Sequence, residues 1–172
     1  MASLMENLIA ILEEESGCYE ELLKVSGQKT PVIVSGDLDK LSAITDDEQR
    51  VVDGIAKLEE RREQAMRDIA DVLNRDVRTL TITDLVAMLG KRPGEARALA
   101  KNRDRLKSAA DRVRLVNEQN QQLLKSSLEM VQFEMNLLQS LKTAPETADY
   151  NSNAYANGTI MGSGTKRFDA KQ

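Results

Sequence analysis

The sequence lacks several residue types on which enzymes commonly depend. Its 172 residues include no histidine, no tryptophan, one cysteine and only five aromatic rings. Without histidine there is no imidazole general base, no Ser-His or Cys-His nucleophile pair and no imidazole metal ligand. The single cysteine, Cys18, excludes an intrachain disulfide and a cysteine-rich zinc site. We therefore expect a protein that is not an enzyme and needs no cofactor.

Large aromatic side chains are also too few to fill the core of a compact α/β enzyme. The remaining apolar residues are Leu, Ile, Val, Met and Ala, which favour a helical bundle. The net charge of −4 argues against a face that binds nucleic acid. No stretch approaches the ~20 apolar residues of a membrane span, and the first residues lack the pattern of a secretory signal. We expect a cytoplasmic protein that binds no nucleic acid and does not insert into a membrane.

Three long stretches of the sequence space their apolar residues three and four apart, as helices that pack in bundles do. The first stretch, Leu4–Lys29, is predicted to end at Thr30-Pro31, because proline disfavours helical backbone in the residue before it and has no amide hydrogen. The second stretch, Asp37–Asn74, begins with Asp37 as the predicted N-cap. The third stretch, Pro93–Lys142, opens with a Pro-Gly pair.

The chain between the second and third stretches differs in character. Val77–Ile82 alternate like a strand but have no predicted strand partner, so we expect an extended connector here. A short helix follows over Asp84–Leu89, capped by Thr83 and stopped by Gly90. This segment is expected to bury Leu80, Ile82, Leu85 and Met88. The sequence thus predicts an all-α fold, an elongated antiparallel helical bundle or coiled coil of three long helices plus a short connecting helix, with a flexible C-terminal tail.

Polar side chains interrupt the apolar seams of the predicted helices. Glu15 lies in the first seam, Glu48 and Arg62 lie in the second, and Asn117 and Asn120 lie in the third. An asparagine at a core position of a coiled coil lowers stability but fixes the register of the helices, because its amide must find a partner. The two asparagines therefore either set the register of the bundle or belong to a partner-binding surface.

The composition changes at Thr143, where Ala, Asn, Ser, Gly and Thr become dominant. The expected division is a helical bundle over residues 1–142 and a flexible tail over residues 143–172. The tail carries three of the five aromatic rings, on Tyr150, Tyr155 and Phe168. Rings separated by polar residues are typical of a short linear motif that docks on a partner, and the alternative is a tail whose rings are incidental.

The charges are distributed unevenly along the chain. Residues 6–21 carry six acids and no base, whereas residues 97–114 carry seven bases and two acids. We expect these runs to pair within the bundle or to face solvent. The alternative for the basic run is an acidic protein partner, while the lack of interleaved aromatic residues argues against nucleic acid. The glutamates at 13–15 and 20–21 form a solvated acidic face or, in the other interpretation, a divalent-metal site.

Several motifs together form a recognisable pattern. They are the stretch Leu8-Ile-Ala-Ile-Leu-Glu-Glu-Glu, the turn Val34-Ser-Gly-Asp-Leu38, the run Asn117-Glu-Gln-Asn-Gln-Gln-Leu-Leu124 and the ending Phe168-Asp-Ala-Lys171. This pattern resembles the FlgN family of flagellar export chaperones over nearly the whole chain. The resemblance implies a small cytoplasmic helical protein that binds hook-filament junction proteins, FlgK-like and FlgL-like, before secretion. It also implies delivery of these proteins to the cytoplasmic domain of the flagellar type III export gate.

The resemblance further implies which residues contact these partners. An amphipathic helix of the cargo would lie against the apolar stripe of the last helix, with Phe133 as an edge anchor. Met130 and Met135 suit a surface that repacks around more than one partner. The export gate would contact a tyrosine near the C-terminus, for which Tyr150 is the candidate. The predicted partner-binding residues are Asn117, Asn120, Leu124, Leu128, Val131, Met135, Leu138 and Tyr150.

Other interpretations of the same residues stay open at this point. In one, the apolar stripe of the last helix is buried inside the chain's own bundle. In another, it pairs with a second copy of the chain to form a homo-oligomeric coiled-coil scaffold or adaptor. In a third interpretation, the protein is an enzyme that uses the glutamate clusters with a divalent metal. For the tail two roles stay open: it contacts the export gate, or it folds over the apolar stripe when no cargo is bound.

Overall fold

The computed structural model describes residues 2–143, with the side-chain surroundings of residues 3–142. Within this range the chain forms the helices α1 (Ala2–Ser35), α2 (Leu38–Leu73), α3 (Ile82–Met88) and α4 (Pro93–Thr143), with a 3₁₀ turn over Leu89–Lys91. No strand is present among these residues. The predicted all-α fold of three long helices and one short connecting helix is confirmed. The chain divides into two compact units, Met1–Phe133 and Glu134–Gln172, and α4 contributes to both.

Helices α1 and α2 are antiparallel neighbours joined by a tight turn. Gly36 has a φ of +70°, the left-handed conformation that glycine adopts without a steric penalty. Asp37 then caps α2 by accepting a hydrogen bond from the backbone N–H of Lys40 at 3.1 Å, which confirms it as the N-cap. On either side of the turn, Lys29 Nζ lies 2.7 Å from Glu48 Oε2.

Helix α4 runs parallel to α1. The Arg105 guanidinium donates two hydrogen bonds, of 2.7 and 2.6 Å, to the Glu20 carboxylate. Further along both helices, Thr30 donates to Asn120 at 2.6 Å. The expected pairing between the acidic first helix and the basic start of the last one is confirmed at Glu20, and the hydrogen bond from Arg105 is the main cause that lowers the pKa of the Glu20 carboxyl.

The core of the first unit is aliphatic, as the scarcity of aromatic residues predicts. A larger buried cluster joins α1, α2, the 74–81 connector, α3, the 3₁₀ turn and α4, and a smaller one joins the three long helices further along. The larger cluster contains Met5, Leu8, Ile11, Leu12, Ala65, Ile69, Ala70, Leu80, Leu85, Leu89 and Leu99. The smaller cluster contains Leu22, Ile55 and Val113. Burying this apolar area is the main favourable term that holds the long helices together.

The prediction that the first helix ends before Pro31 is wrong, because α1 continues to Ser35 with the proline inside it. Proline in a helix removes one hydrogen bond and costs roughly 3 kcal/mol. Pro31 and Gly27, whose carbonyl loses its partner, are both exposed, so water can satisfy that carbonyl. Ile33 beyond the proline is buried at 5% exposure, and its packing keeps this last turn helical.

The short helix also differs from the prediction at both ends. Thr81, rather than Thr83, is its N-cap, because Thr81 and Asp84 form a reciprocal capping box. The Thr81 hydroxyl accepts from the Asp84 N–H at 3.1 Å, and the Thr81 N–H donates to the Asp84 carboxylate at 2.9 Å. Gly90 does not end the helical conformation, because the α-helix ends at Met88 and a 3₁₀ turn over Leu89–Lys91 continues through Gly90.

The four residues that this segment was expected to bury differ in their exposure to solvent. Leu80 and Leu85 are buried, which confirms that part of the prediction. Ile82 is only half-buried, and Met88 is 42% exposed. Leu89 is in the core instead of Met88, because it lies four residues after the buried Leu85, on the same face of the helix.

A polar network at Asn120 ties the three long helices together. Asn120 is 4% exposed, accepts a hydrogen bond from Thr30 and donates one to the Ser26 carbonyl at 2.9 Å. The Ser26 hydroxyl in turn donates to Glu48 at 2.7 Å, and Glu48 also pairs with Lys29. Each buried amide group of Asn120 therefore has a partner, and these partners exist only in one alignment of α1, α2 and α4.

A second polar contact lies deep between α1 and α2. The side chain of Glu15 is 1% exposed, and its Oε2 lies 2.9 Å from Arg62 Nε in an ion pair that lacks the alignment of a hydrogen bond. Burial is the main cause that raises the pKa of the Glu15 carboxyl above 4.5, Arg62 lowers it and Glu59 adds a further rise. The positions that interrupt the seams, Glu15, Glu48, Arg62 and Asn120, thus meet one another or other polar groups across the helices.

The two asparagines of α4 provide a matched test of the register network. We expect Asn120→Ala to lower the free energy of unfolding by about 1–3 kcal/mol, because it removes the buried hydrogen bonds to the Ser26 carbonyl and from the Thr30 hydroxyl. Asn117 is exposed, so Asn117→Ala should change that free energy by no more than about 0.5 kcal/mol. Urea denaturation followed by circular dichroism measures both. Equal losses in the two variants would contradict the assigned role of Asn120.

Glu15 should leave a signature in the pH dependence of stability. Because its pKa is raised in the folded state, the folded protein binds this proton more tightly than the unfolded chain does. The stabilising contribution is fully present below pH 4.5 and is lost as the pH rises through the folded-state pKa. The free energy of unfolding of Glu15→Gln relative to the parent should therefore rise between pH 4.5 and neutral pH. Denaturant titrations across this range test the sign, and a flat or falling difference would contradict it.

Candidate partner-binding surface on the last helix

The last part of α4 exposes an unusual number of large apolar side chains. In the first unit these are Leu128, Met130, Val131 and Phe133, between 52% and 70% exposed. Among the described residues of the second unit they are Met135, Leu137, Leu138 and Leu141, between 49% and 65% exposed. Solitary exposed apolar residues are ordinary, but a contiguous set marks an interaction surface. We call these eight residues the apolar segment of α4.

The backbone of this segment is helical for local reasons. No glycine or proline occurs between Gly94 and Pro145, and Leu, Met, Gln and Glu are strong helix formers. Ser127, which directly precedes the segment, donates its hydroxyl to the Leu123 carbonyl at 2.9 Å, and Ser140 donates to the Leu137 carbonyl at 2.7 Å. These residues therefore stay helical with their apolar side chains in solvent.

The structure distributes the predicted partner-binding residues among three environments. Leu128, Val131, Met135 and Leu138 are exposed, as is the predicted edge anchor Phe133. Leu124 is half-buried and Asn117 is exposed, beside Tyr19 in a shallow groove. Asn120 is in the interior, where its hydrogen bonds go to α1. Tyr150, Tyr155 and Phe168 lie outside the described residues, as does the predicted tail from residue 144 onward.

Leu137 and Leu141 are exposed residues that the seam did not single out. The seam follows Leu128, Val131, Met135 and Leu138, whereas a second row follows Met130, Phe133, Leu137 and Leu141 at the same three- and four-residue spacing. The signal was therefore present in the sequence. A helix whose apolar residues extend well beyond one stripe is typical of a helix that becomes buried on more than one side.

The chemistry of this surface is that of an apolar docking site. Between Leu128 and Lys142 the charged residues are Glu129, Glu134 and Lys142. Such a surface removes apolar area from water when a partner binds. Among the described residues, no group of three or more cysteines, aspartates and glutamates is placed to hold a metal ion.

Two further titratable groups of α1, on Cys18 and Tyr19, are half-buried. Burial is the main cause that raises the pKa of the Cys18 thiol and of the Tyr19 hydroxyl, which keeps both protonated near neutral pH. Tyr19 donates a hydrogen bond to Glu59 at 3.3 Å.

Over residues 2–143, no helix is both long and apolar enough to cross a membrane.

Comparison with known proteins identifies the family. A family model described as FlgN protein matches residues 1–158, which include the three long helices and the apolar segment of α4. Searches of curated proteins and of solved structures give no match. Since the family model covers most of the chain, the protein belongs to the FlgN family, which is associated with a chaperone role in flagellar export.

Proposed function

We propose that this protein is a cytoplasmic export chaperone for hook-filament junction proteins of the FlgK-like and FlgL-like kind. The apolar segment of α4 binds the C-terminal helix of such a cargo and keeps it from premature association. The chaperone then delivers the cargo to the cytoplasmic domain of the flagellar type III export gate. The observation that carries this proposal is the exposure of eight large apolar side chains on one helix, in a chain of this family.

The amount of exposed apolar surface suits capture of an amphipathic helix. Each of these side chains is about half to two-thirds exposed, so its burial contributes about 1–2 kcal/mol. Burial of the four seam residues would contribute roughly 4–8 kcal/mol to binding. The free-energy cost of the translational and rotational freedom lost on association is at least about 4 kcal/mol, so burial of these four residues leaves little net affinity. A stable complex therefore also uses residues of the second row, such as Phe133 and Leu141.

The residue types also suit a chaperone with more than one cargo. Met130 and Met135 are unbranched and flexible, so they adapt to differently shaped apolar partners. The scarcity of charge in the segment places few constraints on the cargo, and shape and apolar pattern then select it.

A homo-oligomeric scaffold would use the same segment to bind a second copy. Sedimentation velocity with and without a peptide of a junction protein's C-terminal helix separates the two. The chaperone function predicts a stoichiometric complex with the peptide. Self-association that grows with protein concentration and excludes the peptide would favour the scaffold instead.

Charged substitutions in the apolar segment test the cargo site. We expect Met135→Glu and Leu138→Glu each to weaken binding of that peptide at least about tenfold, since a carboxylate would have to be buried against the cargo helix. Lys125→Glu is the matched control, because Lys125 is exposed on the same helix outside the apolar segment. Isothermal titration calorimetry measures the affinities.

The helical content decides how a loss of binding is interpreted. Met135 and Leu138 are at least half exposed, so circular dichroism and thermal midpoints of both variants should match those of the parent. Unchanged affinity in both variants would refute the proposed cargo site. Loss of helicity in both would show instead that these residues stabilise the chain.

Tyr150 should act in delivery rather than in capture. We propose that this residue, which lies outside the described range, contacts the export gate. Tyr150→Ala is then expected to leave the affinity for the junction-protein peptide unchanged and to reduce binding to the purified cytoplasmic domain of the gate. Tyr155→Ala is the comparison variant within the tail, and an equal or larger loss there would move the assignment to Tyr155.

A further inference from the structure

Two adjoining grooves in the first unit lie apart from the apolar segment of α4. One, of about 570 Å³, lies between α2 and the connector that precedes α3. The other, of about 290 Å³, lies between α2 and α4 beside α1. Both are lined by Arg62 and Ile82, so they form one surface, which we call the α2–α4 groove.

The floor of the α2–α4 groove is apolar. Leu80 belongs to the core beneath it, Met66 and Ile82 are half-buried, and Val77 is 38% exposed. In the adjoining groove Leu106 is half-buried as well. A ligand that lies here therefore covers apolar side chains that already rest on the larger core cluster.

The rim of the groove is positively charged. Arg67 and Arg78 border the first groove, and Arg103 and Lys107 border the second. Within residues 2–143, Arg78 and Lys107 make no ion pair, so their charges are open to a ligand.

The acidic groups that line the same surface are already engaged. The Glu63 carboxylate lies 3.7 Å from Arg67, and the Glu59 carboxylate accepts a hydrogen bond from Tyr19. Glu15 is buried in its ion pair with Arg62. Over the described residues Arg78 and Lys107 therefore have no ion-pair partner, whereas each of the three carboxylates has a polar partner within the chain.

The charge of the groove contrasts with that of the whole chain. Residues 61–114 carry fourteen lysines and arginines against eight acids, although the complete chain has a net charge of −4. Most residues that line the groove belong to this stretch, which runs from the second half of α2 to the first half of α4, while Glu15, Tyr19 and Glu59 line it as well. Such local segregation attracts an acidic partner to one face of an acidic protein.

We propose that the α2–α4 groove docks an acidic amphipathic helix of a protein partner, at a site separate from that of the cargo. The apolar stripe of this helix would cover Met66, Val77 and Ile82, and its carboxylates would face Arg78 and Lys107. A helix laid between two antiparallel helices gives the packing of a four-helix bundle, which the three long helices leave incomplete. A nucleic acid fits less well, because the aromatic side chain among the described lining residues is Tyr19, which is half-buried and bonded to Glu59 rather than free for stacking.

A designed peptide probes this site directly. The probe is a fluorescein-labelled 20-residue helix with leucines at helical spacing on one side and glutamates on the other, and its control has the same composition in scrambled order. Fluorescence anisotropy with the full-length protein should show binding of the first peptide and at least about tenfold weaker binding of the second. A benzophenone on the apolar side of the peptide should cross-link to Met66, Val77 or Ile82, as mapped by mass spectrometry.

Variants separate this groove from a general attraction of opposite charges. Arg78→Glu, Lys107→Glu and Val77→Asp change exposed residues and should each weaken peptide binding about tenfold. Lys24→Glu on α1 is the matched control, since Lys24 is also exposed, and it should leave the affinity within about twofold. Equal losses in Lys24→Glu, cross-links outside the groove, or tighter binding of a single-stranded oligonucleotide through the same residues would overturn the proposal.

The same variants distinguish a wrong assignment of the α2–α4 groove from a wrong assignment of the cargo site. Met135→Glu should retain full affinity for the acidic peptide, and Arg78→Glu should retain full affinity for the junction-protein peptide. If Met135→Glu abolished binding of both peptides, the acidic peptide would be occupying the apolar segment of α4, and the separate groove site would be refuted.

Discussion

The alignment of α4 with α1 determines which part of the last helix the bundle covers. Asn120 sets this alignment, because its buried amide finds partners only at Ser26 and Thr30. Only five residues of α1 remain after Thr30, whereas α4 continues to Thr143. Within the first unit, Leu128 to Phe133 therefore lie past the level at which α1 ends, and they are exposed. A buried polar contact, which adds little net stability, thus decides where an apolar surface becomes available.

The same apolar spacing consequently serves two purposes along one helix. In its first part, residues such as Leu99 and Val113 are buried and hold α4 to the other helices. In its last part, the pattern continues in Leu128 and Val131 with no helix over them. A binding protein for amphipathic helices needs this combination, because the buried part supplies stability and the exposed part supplies affinity. Strong helix formers keep the exposed part ordered without packing, which lowers the entropy lost when a cargo helix binds.

The charges divide the surface in a complementary way. Glu20 and Glu14 on α1 form exposed ion pairs with Arg105 and Arg61, so part of the acidic first helix is neutralised by neighbouring helices. Over the described residues, Arg78 and Lys107 of the α2–α4 groove have no ion-pair partner. The two sites proposed above, an apolar surface and a basic groove, would thus suit partners of different chemistry.

Local patterns in the sequence determined the helices, the aliphatic core, the Asp37 cap and the apolar character of Leu128 to Leu138. Helix period and capping are properties of short stretches, so they are visible without the fold. Tertiary structure alone decided that α1 passes through Pro31, and that Asn120 is buried while Asn117 is exposed. The reason is that spacing identifies the apolar face of a helix but not whether another helix covers it. Coverage depends on where the neighbouring helices end, and contacts between residues distant in sequence set those ends.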